Sequence, residues 1–438
     1  MSLSNTVRTH LLDPRTMNRN RCEFRLEDGF YASSIKLIDL GVYDTGLTGA
    51  RQGAFYPSIT GVASCIRNIY LYSDTTLIDS LQNVSNYSAI EALKTTNQGS
   101  MDLNNQLLLN GMGLFPQDAE TQDLSGTRIT ASSTVGSMQL QGDGMYAYNE
   151  IDGTAALNNQ VNIANSEGNQ SGSILLSRYL QFLQTVSLLP MIPDLRIVIE
   201  WDTASTTYFN DPDTGKATAL NLDVIRPTLV VDEVLNVDPA EGAQFNLPYL
   251  STIVERFNVN ATDATLNASV PARSSFKSQA FTQKFVKDLT FVNQPGNELA
   301  NAADRWLTKG TRSVAQKGEK LQVVVNHNNH LPDQGIVSPA QKMHYFNDTQ
   351  TQLNLPLAAA TYGLRDASGN VLGKSAEPLT GQFSVTACKV GNTVNDLRVE
   401  YERLHGDSDS SRDAFTMLCY GTVAKTLTKQ GDRVRVSY

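Results

Sequence analysis

The chain has 438 residues, 40% apolar and 18% charged, with a net charge of −9. It is long for one core, so two units of about 200 residues each are expected. The acidic excess argues against wholesale nucleic-acid binding, because neutralising phosphates needs clustered Lys and Arg.

The charge is uneven. Residues 1–25 carry Arg8, Arg15, Arg19, Arg21 and Arg25 against Asp13 and Glu23, a short basic arm on an acidic body. Such an arm can dock on an acidic neighbour or on lipid headgroups, or stay solvated. The cysteines, Cys22, Cys65, Cys388 and Cys419, are far apart with no CxxC pair. Buried free thiols fit that spacing better than a disulfide framework or a zinc site. The N-terminal stretch lacks the apolar core of a signal peptide, since Arg8, His10, Asp13 and Arg15 interrupt it. A soluble product that is made inside the cell, and not secreted through a signal peptide, is therefore expected. The most apolar window, Phe182 to Ile199, contains Pro190, Pro193, Asp194 and Arg196, so it does not read as a membrane span.

Residues 1–20 read as an irregular N-terminal arm. Cys22, Phe24 and Leu26 alternate with Glu23, Arg25 and Glu27, the period of a half-buried strand, and Asp28-Gly29 supplies turn chemistry after it. Ser34 to Tyr43 and Ile66 to Tyr72 read as further strands, the second ending in a turn at Ser73–Thr76. Ile78, Leu81, Ala89 and Leu93 have helical spacing and suggest a broken helix. Residues 111–171 are rich in Gly, Ser, Thr, Asn and Gln and read as a surface excursion or interaction loop. Ile174 to Leu189 fits either helix or strand.

Then comes Asp194-Leu195-Arg196-Ile197-Val198-Ile199-Glu200-Trp201, a strand. About half the chain later stands Asp396-Leu397-Arg398-Val399-Glu400-Tyr401-Glu402-Arg403. In both, Asp-Leu-Arg opens a run of β-branched, aromatic and acidic residues, so two related β modules are expected. Val224 to Val234 closes the first, and 236–250 reads as a connector. The second holds strand candidates at Ala264–Val270, Lys284–Val292, Leu321–Val325, Gln382–Val390, Asp396–Arg403, Ala414–Val423 and Asp432–Tyr438, with a short helix at Asn297–Leu307. Many strands with few helices indicate β-sandwiches rather than βαβ units.

The chemistry-bearing residues are sparse. His327 and His330 are three apart in a polar turn with no third ligand adjacent, His344 being the only nearby candidate, so a hairpin loop is the better account. Asp211-Pro212-Asp213-Thr214-Gly215 lacks the later Glu of a calcium loop. Glu200, Glu400 and Glu402 read as outward-facing strand positions, and Trp201, Tyr401, Phe415 and Tyr420 as core. Neither GxSxG, HExxH nor a P-loop occurs. No catalytic residue, metal site or cofactor is assigned.

Two stretches carry a family resemblance. Ser64-Cys65-Ile66-Arg67-Asn68-Ile69-Tyr70-Leu71-Tyr72, with Leu77-Ile78-Asp79 and Asn86-Tyr87 after it, is similar to the early part of polinton-type and virophage-type capsid proteins. Leu188-Leu189-Pro190-Met191-Ile192-Pro193-Asp194-Leu195-Arg196-Ile197-Val198-Ile199-Glu200 resembles the end of their first jelly roll. The chain thus resembles a double-jelly-roll major capsid protein of the adenovirus, virophage and polinton-like lineage. The resemblance implies an all-β fold of two consecutive antiparallel eight-stranded jelly-roll sandwiches, with a few short helices in loops. Residues 21–235 would be the first roll, 236–250 the connector and 251–438 the second roll. It implies homotrimers in which six rolls make a pseudo-hexagonal tile of an icosahedral virion shell. Other partners would be neighbouring tiles and penton and minor capsid proteins. The arm, through Arg8, Arg15, Arg19 and Arg21, would face a membrane, a minor protein or an adjacent tile. It implies no enzyme activity, no cofactor and no sequence-specific nucleic-acid contact. A minor capsid, penton or fibre protein and a carbohydrate-active β-sandwich are the competing classes.

Overall fold

The computed structural model describes residues 6–44, 61–95, 149–150, 161–162, 172–202, 222–238, 242, 244–260, 272–295, 320–336, 339–350, 364–365, 371–372, 385–403, 415–431 and 433–438. Its strands form one pattern twice. The first half contains β1 (Val7–Leu12), β2 (Arg21–Arg25), β3 (Lys36–Leu40), β4 (Ile66–Ser73), β5 (Thr76–Gln82), β6 (Gly172–Leu175), β7 (Leu195–Trp201) and β8 (Thr228–Val234). They pair antiparallel in two sheets, ordered β1-β8-β3-β6 and β2-β7-β4-β5. The second half contains β9 (Gln244–Val259), β10 (Ala272–Lys277), β11 (Lys284–Pro295), β12 (Lys320–Val325), β13 (Asn328–Asn329), β14 (Val385–Val394), β15 (Leu397–Arg403) and β16 (Phe415–Gln430). Its sheets run β9-β16-β11-β14 and β10-β15-β12-β13, again antiparallel. Each half-order maps onto the other strand for strand. Short extra strands flank this framework, among them Thr16–Asn18 beside β2, Tyr31–Ala32 beside β8 and β17 (Arg433–Ser437) beside β16. The chain is the expected all-β pair of antiparallel sandwiches.

Local chemistry explains the match. In β2, Cys22 and Phe24 are fully buried while Arg21 and Arg25 are exposed, because alternate strand residues face opposite sides. In β7 the inward residues are Leu195, Ile197, Ile199 and Trp201. In β15 they are Leu397, Val399 and Tyr401. Ile197 stands between Phe24 of β2 and Leu71 of β4. Val399 stands between Phe276 of β10 and Val323 of β12, the same place in the second roll. The repeated Asp-Leu-Arg phrase therefore marks equivalent strands.

Several expectations need correction. Over residues 6–20 the expected irregular arm is replaced by strands: Val7–Leu12 pairs along β8, and Thr16–Asn18 forms a hairpin with β2. The 236–250 connector is shorter than its composition suggests, because β9 already begins at Gln244. Pro248 lies inside β9. A proline lacks the ladder N–H, yet among the described residues β9 pairs with β16 alone and lies at the sheet edge, where that absence is tolerated. Ile78 to Leu93 is not a broken helix throughout. Thr76–Gln82 is a strand, and helix α1 (Val84–Thr95) follows it. Ile174 to Leu189 resolves into β6, a 3₁₀ turn at Leu176–Arg178, helix α2 (Gln181–Thr185) and a short strand, Leu188–Leu189. The helix α3 (Pro339–Gln350) was not anticipated. The Asn297–Leu307 helix, the Ala264–Val270 strand, the Asp211–Gly215 turn and nearly all of 111–171 lie outside the described residues.

The two rolls share packing. One apolar cluster fills the first roll and continues into the second through Tyr249, Leu418, Tyr420 and Leu427. A separate cluster fills the second roll. β16 contributes to both: Met417, Cys419 and Val423 belong to the second core, Leu418 and Tyr420 to the shared one. Burial on both faces leaves it almost continuously apolar from Phe415 to Tyr420.

Candidate assembly interface

Antiparallel order sorts the connections between strands by end. Strands of odd and even number run in opposite directions, so each roll has one end where even strands lead to odd ones. In the second roll these connections are residues 278–283, 326–327 and 395–396, all short. They are tied together. The Asn326 side chain accepts hydrogen bonds from the N–H groups of Asn395 (2.7 Å) and Asp396 (3.1 Å) and donates to the carbonyl of Thr393 (2.8 Å). The Asn326 N–H donates to the Asp396 carbonyl, and the Ser278 N–H to the Leu397 carbonyl. The first roll repeats the arrangement with Asp74 N–H to the Asp194 carbonyl and Leu26 N–H to the Leu195 carbonyl. Asp74 and Asn326 both have positive φ, 49° and 51°, as tight hairpins require.

The same end carries a matched charge pair. Arg25 Nε lies 2.5 Å from Asp194 Oδ1, and Lys277 Nζ lies 3.1 Å from Asp396 Oδ1. The repeated Asp thus anchors the last residue of β2 and of β10. The other end of each roll gives rise to the longer connections, including 83–171 and 330–384. One end is close-knit, and the opposite end provides the attachment points of the long excursions.

Between the rolls lies a junction of polar and aromatic groups. The Tyr249 hydroxyl donates to the Ile78 carbonyl (2.6 Å), and the Tyr420 hydroxyl to the Asn83 carbonyl (3.0 Å). Arg256 donates to Asn83 Oδ1 at 2.9 Å. Lys429 Nζ donates to the carbonyls of Met191 (2.7 Å) and Gly242 (2.8 Å). Phe182 meets Tyr249 edge-on with ring centres 4.9 Å apart, and Tyr87 lies 5.4 Å from Tyr420. These geometries suit aromatic quadrupoles. Asp79, 1% exposed, accepts from Ser251 Oγ (2.6 Å), Phe182 N (2.9 Å) and Ser80 N (2.9 Å). Burial pushes its carboxyl up to about 6. Burial also raises the Tyr249 and Tyr420 phenols, with Asp79 adding to the first and Tyr87 to the second, and lowers the Lys425 ammonium against the pull of Asp79. The ring of Tyr438 lies 4.8 Å from Lys284 Nζ and 5.2 Å from Lys425 Nζ.

The four arginines singled out from sequence are exposed but do not form one patch on a free arm. Arg8 is on β1, opposite Glu233 of β8. Arg15 and Arg19 flank the short strand Thr16–Asn18, and Arg21 opens β2, 3.1 Å from Glu23. His327 sits in the β12–β13 turn, and His330 Nδ1 contacts the Lys389 carbonyl at 2.9 Å. No grouping of three potential metal ligands occurs among the described residues. Glu200 does not simply face solvent: it accepts from Asn68 (2.6 Å) and lies 3.3 Å from the Tyr70 hydroxyl. Trp201, Tyr401, Phe415 and Tyr420 are buried as expected, at most 4% exposed. Asn86, in a glycosylation sequon, is 2% exposed and so inaccessible to a glycan. On the outer face of the second roll, Arg273, Lys320, Gln322, Glu400 and Glu402 line a polar depression of about 440 Å³. The junction was not anticipated from sequence. Asp79, a carboxylate inside the apolar phrase Leu77-Ile78-Asp79-Ser80-Leu81, was its one available signal.

No protein-family model and no curated protein sequence matches the chain. Solved structures do. A chain of the Sputnik virophage structure, determined by cryo-electron microscopy, aligns at TM-score 0.57 and 11% identity, over 100% of this chain and 89% of that one. PBCV-1 VP54, fitted into a cryo-EM reconstruction of the Sputnik virophage, aligns at 0.52 and 10%, over 100% and 98%. The mavirus major capsid protein aligns at 0.51 and 9%, over 99% and 90%. The likeness spans both rolls, so the chain has the double-jelly-roll fold of these capsid proteins.

Proposed function

We propose that this chain is a major capsid protein that associates as homotrimers, six rolls forming a pseudo-hexagonal tile of an icosahedral virion shell. The observation that carries the reading is the doubling: the strand order of the two main sheets of the first half recurs in the second, and the halves join through a buried junction. The full-length likeness to virophage chains supports it. A joined pair of rolls gives each subunit two equivalent blocks, and threefold symmetry then supplies six. The knitted end, with Asp194 and Asp396 in matching places, forms the flat side of the tile. The opposite end is where the long connections attach. The basic residues Arg8, Arg15, Arg19 and Arg21 contact neighbouring tiles, minor or penton proteins, or an internal membrane. They do so from β1 and the adjoining hairpin rather than from a loose arm.

Light scattering on the purified chain tests the reading. The expected mass is three times the 47.9 kDa of one chain. A stable monomer at assembly concentrations would overturn it. The competing carbohydrate-active reading expects turnover on a glycan panel, whereas the capsid reading expects none.

A further inference from the structure

We propose that Asp79 is a pH-operated lock on the docking of the two rolls, tight when its carboxyl carries a proton and looser when it is ionised. The inference is independent of what the chain assembles into. The side chain is 1% exposed and lies where β5 of the first roll meets β9 and β16 of the second and helix α2 of the first. Both rolls hold it: the N–H groups of Ser80 and Phe182 come from the first, the Ser251 hydroxyl from the second. Protonated, the carboxyl can donate to the Ser251 oxygen across the same 2.6 Å contact, so the cross-roll hydrogen bond survives in either state.

The surrounding charges decide the direction. From the second roll, Lys425 favours ionisation, and the Tyr249 and Tyr438 phenols are the other titratable neighbours; Lys284 stands beside Lys425. Arg433 and Arg435 of β17 are exposed. From the first roll, helix α2 (Gln181–Thr185) carries no ionisable side chain, and β4 carries Arg67, which is exposed, Tyr70, bonded to Glu200, and Tyr72, beneath Arg196. One ammonium and three donors do not offset complete removal from water, so the carboxyl titrates near 6 rather than 3.8. An undocked Asp79, back in water, regains the ordinary value. Docking therefore binds a proton over that interval. Its support is complete below pH 3.8 and is lost as the pH rises through about 6. The interval corresponds to about a hundredfold change in the docking equilibrium.

Hydrogen–deuterium exchange on the full chain, corrected for intrinsic rates, tests this between pH 5 and 7.5. Peptides covering 76–82, 181–186 and 244–252 are expected to exchange at least several-fold faster at the higher pH. Asp79→Asn should abolish that dependence and leave peptides in the second core unchanged. Protection that ignores pH in the native chain, or a pH response that persists in Asp79→Asn, would overturn the proposal. Ser251→Ala decides the matter if Asp79→Asn does not fold. Losing one donor to the carboxylate should move the exchange midpoint to higher pH, and a midpoint that stays or falls also sinks it.

Discussion

The missing side chain of Gly421 makes room for the Phe281 ring in the second core. A methyl group there would lie 2.2 Å from Cε1 and 2.7 Å from Cζ of Phe281, and 3.0 Å from Cδ2 of Leu289. Phe281 and Leu289 are both fully buried, so neither ring nor methyl can retreat into solvent. Overpacking of this kind costs about 1–3 kcal/mol. Gly421→Ala is thus expected to lower the denaturation midpoint clearly. Gly391 offers the contrast. It has φ +64° and nothing within 4 Å of an added methyl, so Gly391→Ala meets only backbone strain of about 1 kcal/mol. Urea titrations of the two variants should rank them in that order; equal midpoints would show that the Phe281 ring can shift.

Among the elements, the β12–β13 hairpin closes the knitted end, and Asn326 does so with its side chain as well as its backbone. Asn326→Ala removes three hydrogen bonds and puts a Cβ-bearing residue without a polar tip at φ 51°, an expected loss of about 2–3 kcal/mol. Asn326→Gly keeps the backbone at ease and loses only the bonds, so it should fall about 1 kcal/mol short of that. Chemical denaturation of both variants separates conformational strain from bonding, and identical losses would assign the effect to the bonds alone. The elements also show what a sequence can reveal. Strands with one wet face were legible: Cys22-Glu23-Phe24-Arg25 alternates because β2 lies between core and solvent. The two Asp-Leu-Arg strands were legible as a pair because each sits mid-sheet with the same neighbours. β5 was misread because Ile78 and Asp79 are both buried, one by the first core and the other by the second roll, which erases the period of two. Helix α3 went unread because its apolar residues, Met343 and Phe346 among them, are diluted by Gln341, Lys342, His344, Asn347 and Asp348. The junction was invisible for a simpler reason: Asp79 and Ser251 are brought together by folding, and no local spacing encodes that meeting.

On the scale of the whole molecule, the question is whether two rolls behave as two domains. Ordinary inter-domain contacts are polar and permit relative motion. This one differs, because the apolar cluster of the first roll runs without a break into Tyr249, Leu418, Tyr420 and Leu427 of the second. Lys429 also spans the boundary: it is 6% exposed, and both of its carbonyl partners lie outside the second roll's sheets. Separating the rolls would therefore strand a buried ammonium's partners and expose aromatic rings, so neither roll should survive the other's unfolding. Scanning calorimetry of the chain is expected to give one cooperative transition whose calorimetric and van't Hoff enthalpies agree for the cooperative unit. Two resolved transitions would mean that the rolls are independently stable. The coupling bears on the proposed trimer, in which three copies would present six equivalent blocks only if both rolls keep a fixed mutual setting. Lys429→Met, which keeps much of the side chain's apolar bulk but removes the charge and both donors, should split or broaden that single transition while leaving the cores of the two rolls intact.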